Sequence, residues 1–318
     1  MELIESPDAD FWWGVVQNCP YATFYHTPLW HQLADQTDSG RQDCTVDAIF
    51  QNGSRAIFPL LQERPILQKY ISTFAGCYGG LVADGPIPDE EAPALYEHVF
   101  SLTGKTFKFI STPIAEGIPT PTLSPEEKEE DFTHILSLDE DLDTIIANYS
   151  RGHRSSLKKG RREGVRVRRA DSLDEYRKYF EAYQASMERW GKDPSTGYSW
   201  AFFEHAHDLS QDHPDAITLW LAWVDDAVAS GALTLKWNQH VSYWHGAAHE
   251  EYFDYRPNNV LHTDIIADAL EQGYQYYDFN PSGGHDGVAQ FKSRFGAEKW
   301  PVERCTYTRS LQEAVFGS

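Results

Sequence analysis

The stretch that most limits what this chain can fold into is residues 273–300, GYQYYDFNPSGGHDGVAQFKSRFGAEKW. Tyr274 to Phe279 is short and aromatic-rich, which predicts a buried strand. Asn280 to Gly287 contains Pro281, Ser282, Asp286 and three glycines, so the strand must end there and the backbone must turn. Val288, Phe291 and Phe295 then recur at i, i+3 and i+7, which predicts a short helix. A glycine-rich turn between a strand end and a helix start presents backbone N–H groups at an electropositive helix end, a seat for an anionic or carbonyl oxygen. Lys292, beside the apolar anchor Phe291, is expected one turn inside that helix.

A chain of 318 residues has room for roughly two domains of about 150 residues each. With 41% hydrophobic and 14% aromatic residues it can bury real cores, which excludes disordered and fibrous classes. No run reaches the roughly 18 apolar residues of a membrane span. The N-terminus MELIESPDAD is acidic where a secretion signal is basic, so a soluble, cytoplasmic protein is expected. Cys19, Cys44, Cys77 and Cys305 are far apart and form no CxxC pair, so reduced, packed thiols are expected rather than disulfides or a metal site. His205/His207 and His245/His249 are close in sequence but carry no HExxH pattern, and no metal is expected. GxSxG, P-loop and GxGxxG motifs are absent as well.

The first half is strand-rich. Thr27 is placed to cap a helix that starts at Pro28 and runs to Ala34. Val46–Phe50 and Arg55–Leu61 flank Asn52-Gly53, a strong short hairpin signal. Tyr70–Ala75 and Gly79–Val82 are further strands, Glu90–Phe100 a helix and Phe107–Ser111 a buried strand. The Pro-, Thr- and Glu-rich segment between Thr112 and Asp131 lacks apolar periodicity and reads as an exposed connection, so the first domain should end near residue 135. The second opens with a strand around His134–Leu138 and a helix that starts at Asp143 and continues through Arg151 into the basic stretch. A long amphipathic helix follows over Asp174–Trp190, with Tyr176, Tyr179, Phe180, Tyr183 and Met187 on its apolar face, and then a helix over Tyr198–Leu209. Ala216–Val224, Ala227–Trp237 and Val241–Ala247 form three consecutive antiparallel strands. A helix over Val260–Gln272 has Asn258 or Asn259 as its cap and Arg256 just before it, an anion-friendly start. Val302–Arg309 reads as a strand and Leu311–Phe316 as a short helix.

Charge is distributed unevenly. Between Arg151 and Arg169 nine Lys or Arg face one acid, Glu163, a net of +8; subtracting this from the overall −21 leaves −29 for the rest of the chain. A concentrated basic patch in an acidic chain needs a partner. Either it binds phosphate, or it forms a solvated helix paired with the protein's own carboxylates. The −29 remainder argues against DNA binding.

The stretch from the DF strand end to GVAQFKSRFGAE is similar to the C-terminal signature of the FemABX and FemAB-like acyltransferases of the GNAT superfamily. The resemblance extends loosely through TPLW and AGCYGG in the first half and better from Arg151 to Glu298. It implies an α+β fold of two GNAT-like domains, each a mixed, mostly antiparallel sheet flanked by helices. The N-terminal domain would span 1–135, joined by 302–318, and the C-terminal catalytic domain 136–301. It implies N-acyl transfer with Phe291 and Lys292 near the reacting carbonyl. Its basic helix at the start of the second domain points to phosphate contact by Arg154 and Lys158. The order of strand, loop and helix around Arg256, Asn258 and Asn259 is the one GNAT folds place around a donor. YRPNN departs from the RxxGxG/A loop of ordinary acetyl-CoA enzymes, which fits the subgroup whose donor is an aminoacyl-tRNA.

Acyl transfer to an amine needs a neutral nucleophile, a stabilised oxyanion and a path for a proton. Lys292 is the candidate for the second need, fixed by Phe291, where one well-placed donor can lower the barrier by about 3 to 4 kcal/mol. Asp278, His245 and Tyr243 are candidates for the third, and each also has a plain structural reading. Asn280 and Gly287 bound the turn expected to receive substrate. The expected function is transfer of an aminoacyl or acyl group to an amine of a cell-envelope (peptidoglycan-type) or nucleotide-linked precursor. An acyl-CoA-dependent N-acetyltransferase of a sugar amine or small metabolite, and a non-catalytic binding module, stay open beside it. No tightly bound cofactor is expected; the partners are the donor, tRNA or CoA, and the amine acceptor.

Overall fold

The structure is a computed structural model that describes residues 1–4, 9–35, 41–63, 69–72, 74–102, 106–114, 127–194, 197–282 and 286–308. It divides into two compact units, Met1–Phe132 together with the chain from Pro301, and Thr133–Trp300. Each unit is a mixed and mostly antiparallel sheet with helices against it. Among the described residues no helix is long and apolar enough to cross a membrane.

The first unit contains β1 (Glu2–Ile4), α1 (Ala9–Asn18), α2 (Pro28–Asp35), β2 (Gln42–Asp43), β3 (Val46–Ile49), β4 (Arg55–Phe58), β5 (Leu61–Glu63), β6 (Lys69–Ile71), β7 (Val82–Ala83), α3 (Ala92–Leu102), β8 (Thr106–Ile110) and the start of β9 (Glu127–Ser137). One sheet has the order β1-β3-β4-β7. The Asn52-Gly53 turn closes β3 on β4 with Val46 opposite Phe58, because Gly53 takes φ +86° at the turn. The core of this unit is aromatic, with Phe50, Phe58, Tyr96, Phe100 and Phe107 packed together. Thr27 does not cap α2: its hydroxyl donates back to the Phe24 carbonyl at 2.7 Å, closing a preceding 3-10 turn over Phe24–His26. The short helix expected over Leu311–Phe316, and most of the Thr112–Asp131 connection, lie outside the described residues.

The second unit carries the rest of β9, then α4 (Leu142–Asn148), α5 (Arg151–Arg162), β10 (Arg166–Arg169), α6 (Leu173–Arg189), α7 (Trp200–Asp212), β11 (Ile217–Val224), β12 (Ala227–Trp237), β13 (His240–Ala248), α8 (Pro257–Glu271), β14 (Tyr276–Asp278) and α9 (Asp286–Ser293). A final strand, β15 (Glu298–Thr308), returns the chain to the first unit, where it pairs antiparallel with β8. The strand order in the second unit is β10-β11-β12-β13-β14-β9, antiparallel except for β13 and β14. β11 and β12 read as nearly continuous apolar runs because both faces of the sheet are covered. Trp220, Ala222 and Val224 pack with Val260, Leu261 and Ile265 of α8, while α6 and α7 also contact these strands.

Three local expectations are corrected. The helix expected to run unbroken into the basic stretch is two helices. Tyr149 and Ser150 are extended between α4 and α5, and the Ser150 hydroxyl accepts from the His153 N–H at 3.2 Å as the cap of α5. Arg166–Arg169, read only as charge, is an edge strand paired with β11. α8 starts at Pro257, so its cap is Arg256 at φ +60° and not Asn258 or Asn259, which sit in the first turn.

Candidate active site

The site builds from the one parallel pair in the second unit. β13 and β14 stay in register only from His240–Tyr276 to Ser242–Asp278 and then part. Parting two parallel strands strips backbone groups of their partners, and the side chains just beyond must supply replacements. Asn280 does so from a left-handed backbone conformation, φ +59°. Its Nδ2 donates to the Tyr243 carbonyl at 2.9 Å, and its Oδ1 accepts from Ser242 Oγ at 3.0 Å. Asn tolerates this conformation better than other non-glycine residues because its short amide can bond locally.

Asp278 closes the strand end from within. It is fully buried and accepts from Thr133 Oγ1 at 2.6 Å, His240 Nε2 at 3.0 Å and the Asn280 N–H at 2.7 Å. A carboxylate that accepts three hydrogen bonds anchors the turn, which is the structural reading of this residue. Lys292 lies in the last turn of α9 rather than one turn inside its start, and only 4% of it is exposed. Its Nζ donates to the carbonyls of Asn280 at 2.7 Å and Pro281 at 3.3 Å. The lysine, Asn280 and Asp278 are therefore one connected junction where β14 turns toward α9.

An aromatic floor lies under this junction. Phe291 meets His153 at 5.1 Å, His262 at 5.6 Å and Phe295 at 5.2 Å between ring centroids. Burial lowers His262 to a pKa of about 3 and His153 to about 4, with Arg294 reinforcing the second, so both rings are neutral near pH 7. His262 Nδ1 lies 2.8 Å from the Tyr277 hydroxyl. Val288, expected on the apolar face, is 44% exposed, and Phe295 is fully buried just past the helix end. Tyr243 packs edge-on to His262 at 4.5 Å, with burial pushing its hydroxyl up to about 12. Gly287 sits at the open start of α9, where an added Cβ would meet nothing within 4 Å. Burial likewise lowers His245, on β13, to about 4.

The basic stretch is mostly spoken for. Arg161 pairs with Asp264 at 2.6 Å, Arg162 with Glu163 at 3.0 Å, Arg169 with Asp268 at 2.5 Å, and Arg168 with Glu175. Arg166 donates to the Asp225 carbonyl at 2.8 Å. Arg154, expected at phosphate, donates to the carbonyls of Ala147 and Tyr149 and so caps the end of α4. Among the described residues Arg151, Lys158 and Lys159 have no such partner; Arg151 and Lys158, seven apart on α5, are both exposed. Arg256 is exposed, Asn258 half-buried and Asn259 buried at the start of α8. In the first unit, an open cleft of about 220 Å³ is lined by Lys69, Ile71, Lys108, Phe109 and Arg304 among others.

A mixed sheet covered by helices on both faces, with one parallel pair that opens into a fork, defines the second unit as a GNAT-type transferase fold. Residues 147–293 match the family model described as an acetyltransferase (GNAT) domain. Going further, the chain has the fold of FemX: that crystal structure superposes with a TM-score of 0.70 at 16% identity, covering 100% of both chains. The C-terminal domain of a putative lysylphosphatidylglycerol synthetase from Agrobacterium fabrum matches with a TM-score of 0.57 at 10% identity, covering 96% of this chain and 93% of that one. A tandem GNAT protein from the clavulanic acid biosynthesis pathway matches with a TM-score of 0.52 at 12% identity, covering 95% of each. Comparison with curated protein sequences gives no match. The FemAB-like GNAT resemblance read from the sequence is borne out as the fold of this chain.

Sequence reasoning singled out Lys292, Asp278, Asn280 and Tyr243 without joining them, and it missed Thr133, His240 and Ser242. Those three are single polar residues inside strand-like runs, and only strand register brings them to the fork. A polar residue at an otherwise apolar strand position was the available signal.

Proposed function

We propose that the chain is a FemAB-like N-acyltransferase that passes an aminoacyl group from aminoacyl-tRNA to an amine of a cell-envelope or nucleotide-linked precursor. The observation that carries this reading is the buried ammonium of Lys292 at the fork. Oxygen developing negative charge during acyl transfer needs a donor held in place beforehand, in a site of low dielectric. Lys292 meets that need: one donor fastens the Asn280 carbonyl at 2.7 Å, and the longer 3.3 Å bond to Pro281 is the one an incoming acyl oxygen can replace. Phe291, half-buried beside it, packs on His153 and His262 and fixes the helix from which Lys292 extends.

The same fork favours aminoacyl-tRNA as the donor. A pantetheine arm is a chain of amides that would pair along parted strands, and here the Tyr243 carbonyl is already taken by Asn280. An aminoacyl ester delivers only its terminal residue to the junction, and Arg151, Lys158 and Lys159 leave cationic groups for a phosphate backbone. We place the reaction in the cytoplasm, where charged tRNA is found.

A second reading, an acyl-CoA-dependent N-acetyltransferase, is favoured by the acetyltransferase domain matched over 147–293. The two are separated by incubating the purified protein with aminoacyl-tRNA and, separately, with acetyl-CoA. Protection against heating by charged tRNA, with transfer of a labelled aminoacyl group to an amine, supports the first. Protection by acetyl-CoA alone replaces it with the second.

A further inference from the structure

β13 carries an irregularity next to the fork. Leu233 of β12 lies opposite His245 and Thr234 opposite Tyr243, so the register skips Trp244 and the strand bulges. A bulge re-aims the side chains beside it. His245 consequently meets Tyr179 and Tyr183 of α6, at ring separations of 5.7 and 4.8 Å, with Phe203 of α7 at 5.7 Å and Tyr198 at 5.9 Å.

Tyr179 is fully buried, and its hydroxyl makes two contacts with the same histidine. It lies 2.6 Å from Nδ1 and donates to the His245 carbonyl at 3.1 Å. A phenol has one proton. With that proton on the carbonyl, the 2.6 Å bond to Nδ1 is made by an Nδ1–H, and Nε2 keeps its lone pair. Among the described residues nothing bonds to Nε2, and the ring is half-buried rather than sealed. The fold makes room for Tyr179 at the strand opposite: a Cβ on Gly231 of β12 would lie 2.6 Å from Tyr179 Cδ2 and 2.9 Å from Cε2.

We propose that Tyr179 is a positioning residue that locks His245 in the Nδ1–H tautomer, so that Nε2 is the proton acceptor in acyl transfer. The assignment rests on the acyltransferase reading and prefers His245 to Asp278, which already accepts three hydrogen bonds. As the amine nitrogen bonds to the acyl carbon of an ester or thioester, its proton passes to Nε2. When the carbon–oxygen or carbon–sulfur bond breaks, the imidazolium returns that proton to the departing alcohol or thiol, and His245 is neutral again. The ring is surrounded by phenols and apolar rings, so it is neutral at pH 7.

The test needs no donor at its first step. In protein labelled with 15N-histidine, the resonance lost in His245→Gln identifies His245. Two-bond 15N–1H correlations should show Nδ1 protonated and Nε2 bare between pH 6 and 8. An Nε2–H or an imidazolium at pH 7 overturns the proposal. Tyr179→Phe keeps the ring and removes the hydroxyl, and should let the tautomers exchange. Gly231→Ala, which touches neither histidine nor substrate, should have the same effect by displacing the Tyr179 ring. With transfer established, His245→Gln should lower kcat about a hundredfold. Tyr179→Phe should lower it about tenfold, with KM unchanged. If the protein transfers acyl groups and both variants match the wild type, the base assignment fails and the acyltransferase reading stands. If no donor is consumed, that reading fails while the tautomer is still decided.

Discussion

A buried ammonium is tolerated only where its donors are matched, and Lys292 shows what the match costs to remove. Lys292→Ala leaves the Asn280 and Pro281 carbonyls without their donor, and each lost bond of this kind costs about 1–3 kcal/mol. The variant should therefore lose both roughly a hundredfold in transfer rate and several degrees in Tm. A variant that transfers normally would remove the lysine from the chemistry; one that merely unfolds earlier would leave it as a fastener.

Asp47 on β3 is a second buried charge with the opposite fate. It is 1% exposed, neither carboxylate oxygen has a hydrogen-bond partner among the described residues, and burial, helped by the charge of Asp43, raises its pKa to about 7. For an acid raised in the folded state, the penalty is absent below the unfolded pKa near 3.8, grows as pH rises, and is complete above about 7. Asp47→Asn should thus stabilise the protein, and the gain should grow by about 2 kcal/mol between pH 5.5 and 8 in urea titrations. A gain independent of pH would mean that Asp47 titrates normally.

At the scale of elements, α5 and α8 decide how closely the α8 face of the second sheet can pack. Gly160 on α5 faces α8 and the turn before it. An added Cβ there would lie 2.6 Å from Val260 Cγ2, 3.1 Å from the Tyr255 carbonyl oxygen and 3.3 Å from that of Arg256. Replacing an exposed helical glycine by alanine normally stabilises by about 1 kcal/mol. Here two of the three neighbours are backbone and cannot swing away, so Gly160→Ala should destabilise by about 1–3 kcal/mol. Denaturant midpoints will show the sign directly. Ser150 sets where α5 begins; Ser150→Ala should cost about 1 kcal/mol, with no loss of the α4 helix.

Across the whole molecule the charge is what the sequence displayed and the fold redistributed. Nine basic residues between Arg151 and Arg169 suggested one phosphate-binding surface, yet six of them are tied to carboxylates or carbonyls of the chain itself. Arg151→Glu with Lys158→Glu should weaken tRNA binding and flatten its dependence on salt by about one to two log–log units, leaving Tm almost unchanged because neither side chain is paired. Equal salt slopes for wild type and variant would place the polyanion elsewhere.

The amino-acid order determined a good deal unaided. Aromatic and β-branched runs, the Asn-Gly turn, Pro28 and the spacing of α6 predicted most elements, since these are local consequences of sterics and burial. Its likeness to a known family added the two-unit α+β plan. Helix starts at Ser150 and Pro257 and the strand over Arg166–Arg169 escaped, because a cap and an edge strand depend on what the neighbouring chain offers. The joining of the fork escaped, although Asp278, Asn280 and Lys292 stood out one by one. Thr133, His240, Ser242, Asp278, Asn280 and Lys292 come from four separate elements and the turn after β14, and only a register fixed by packing brings hydrogen-bond donors and acceptors that far apart in sequence to within 3 Å of one another.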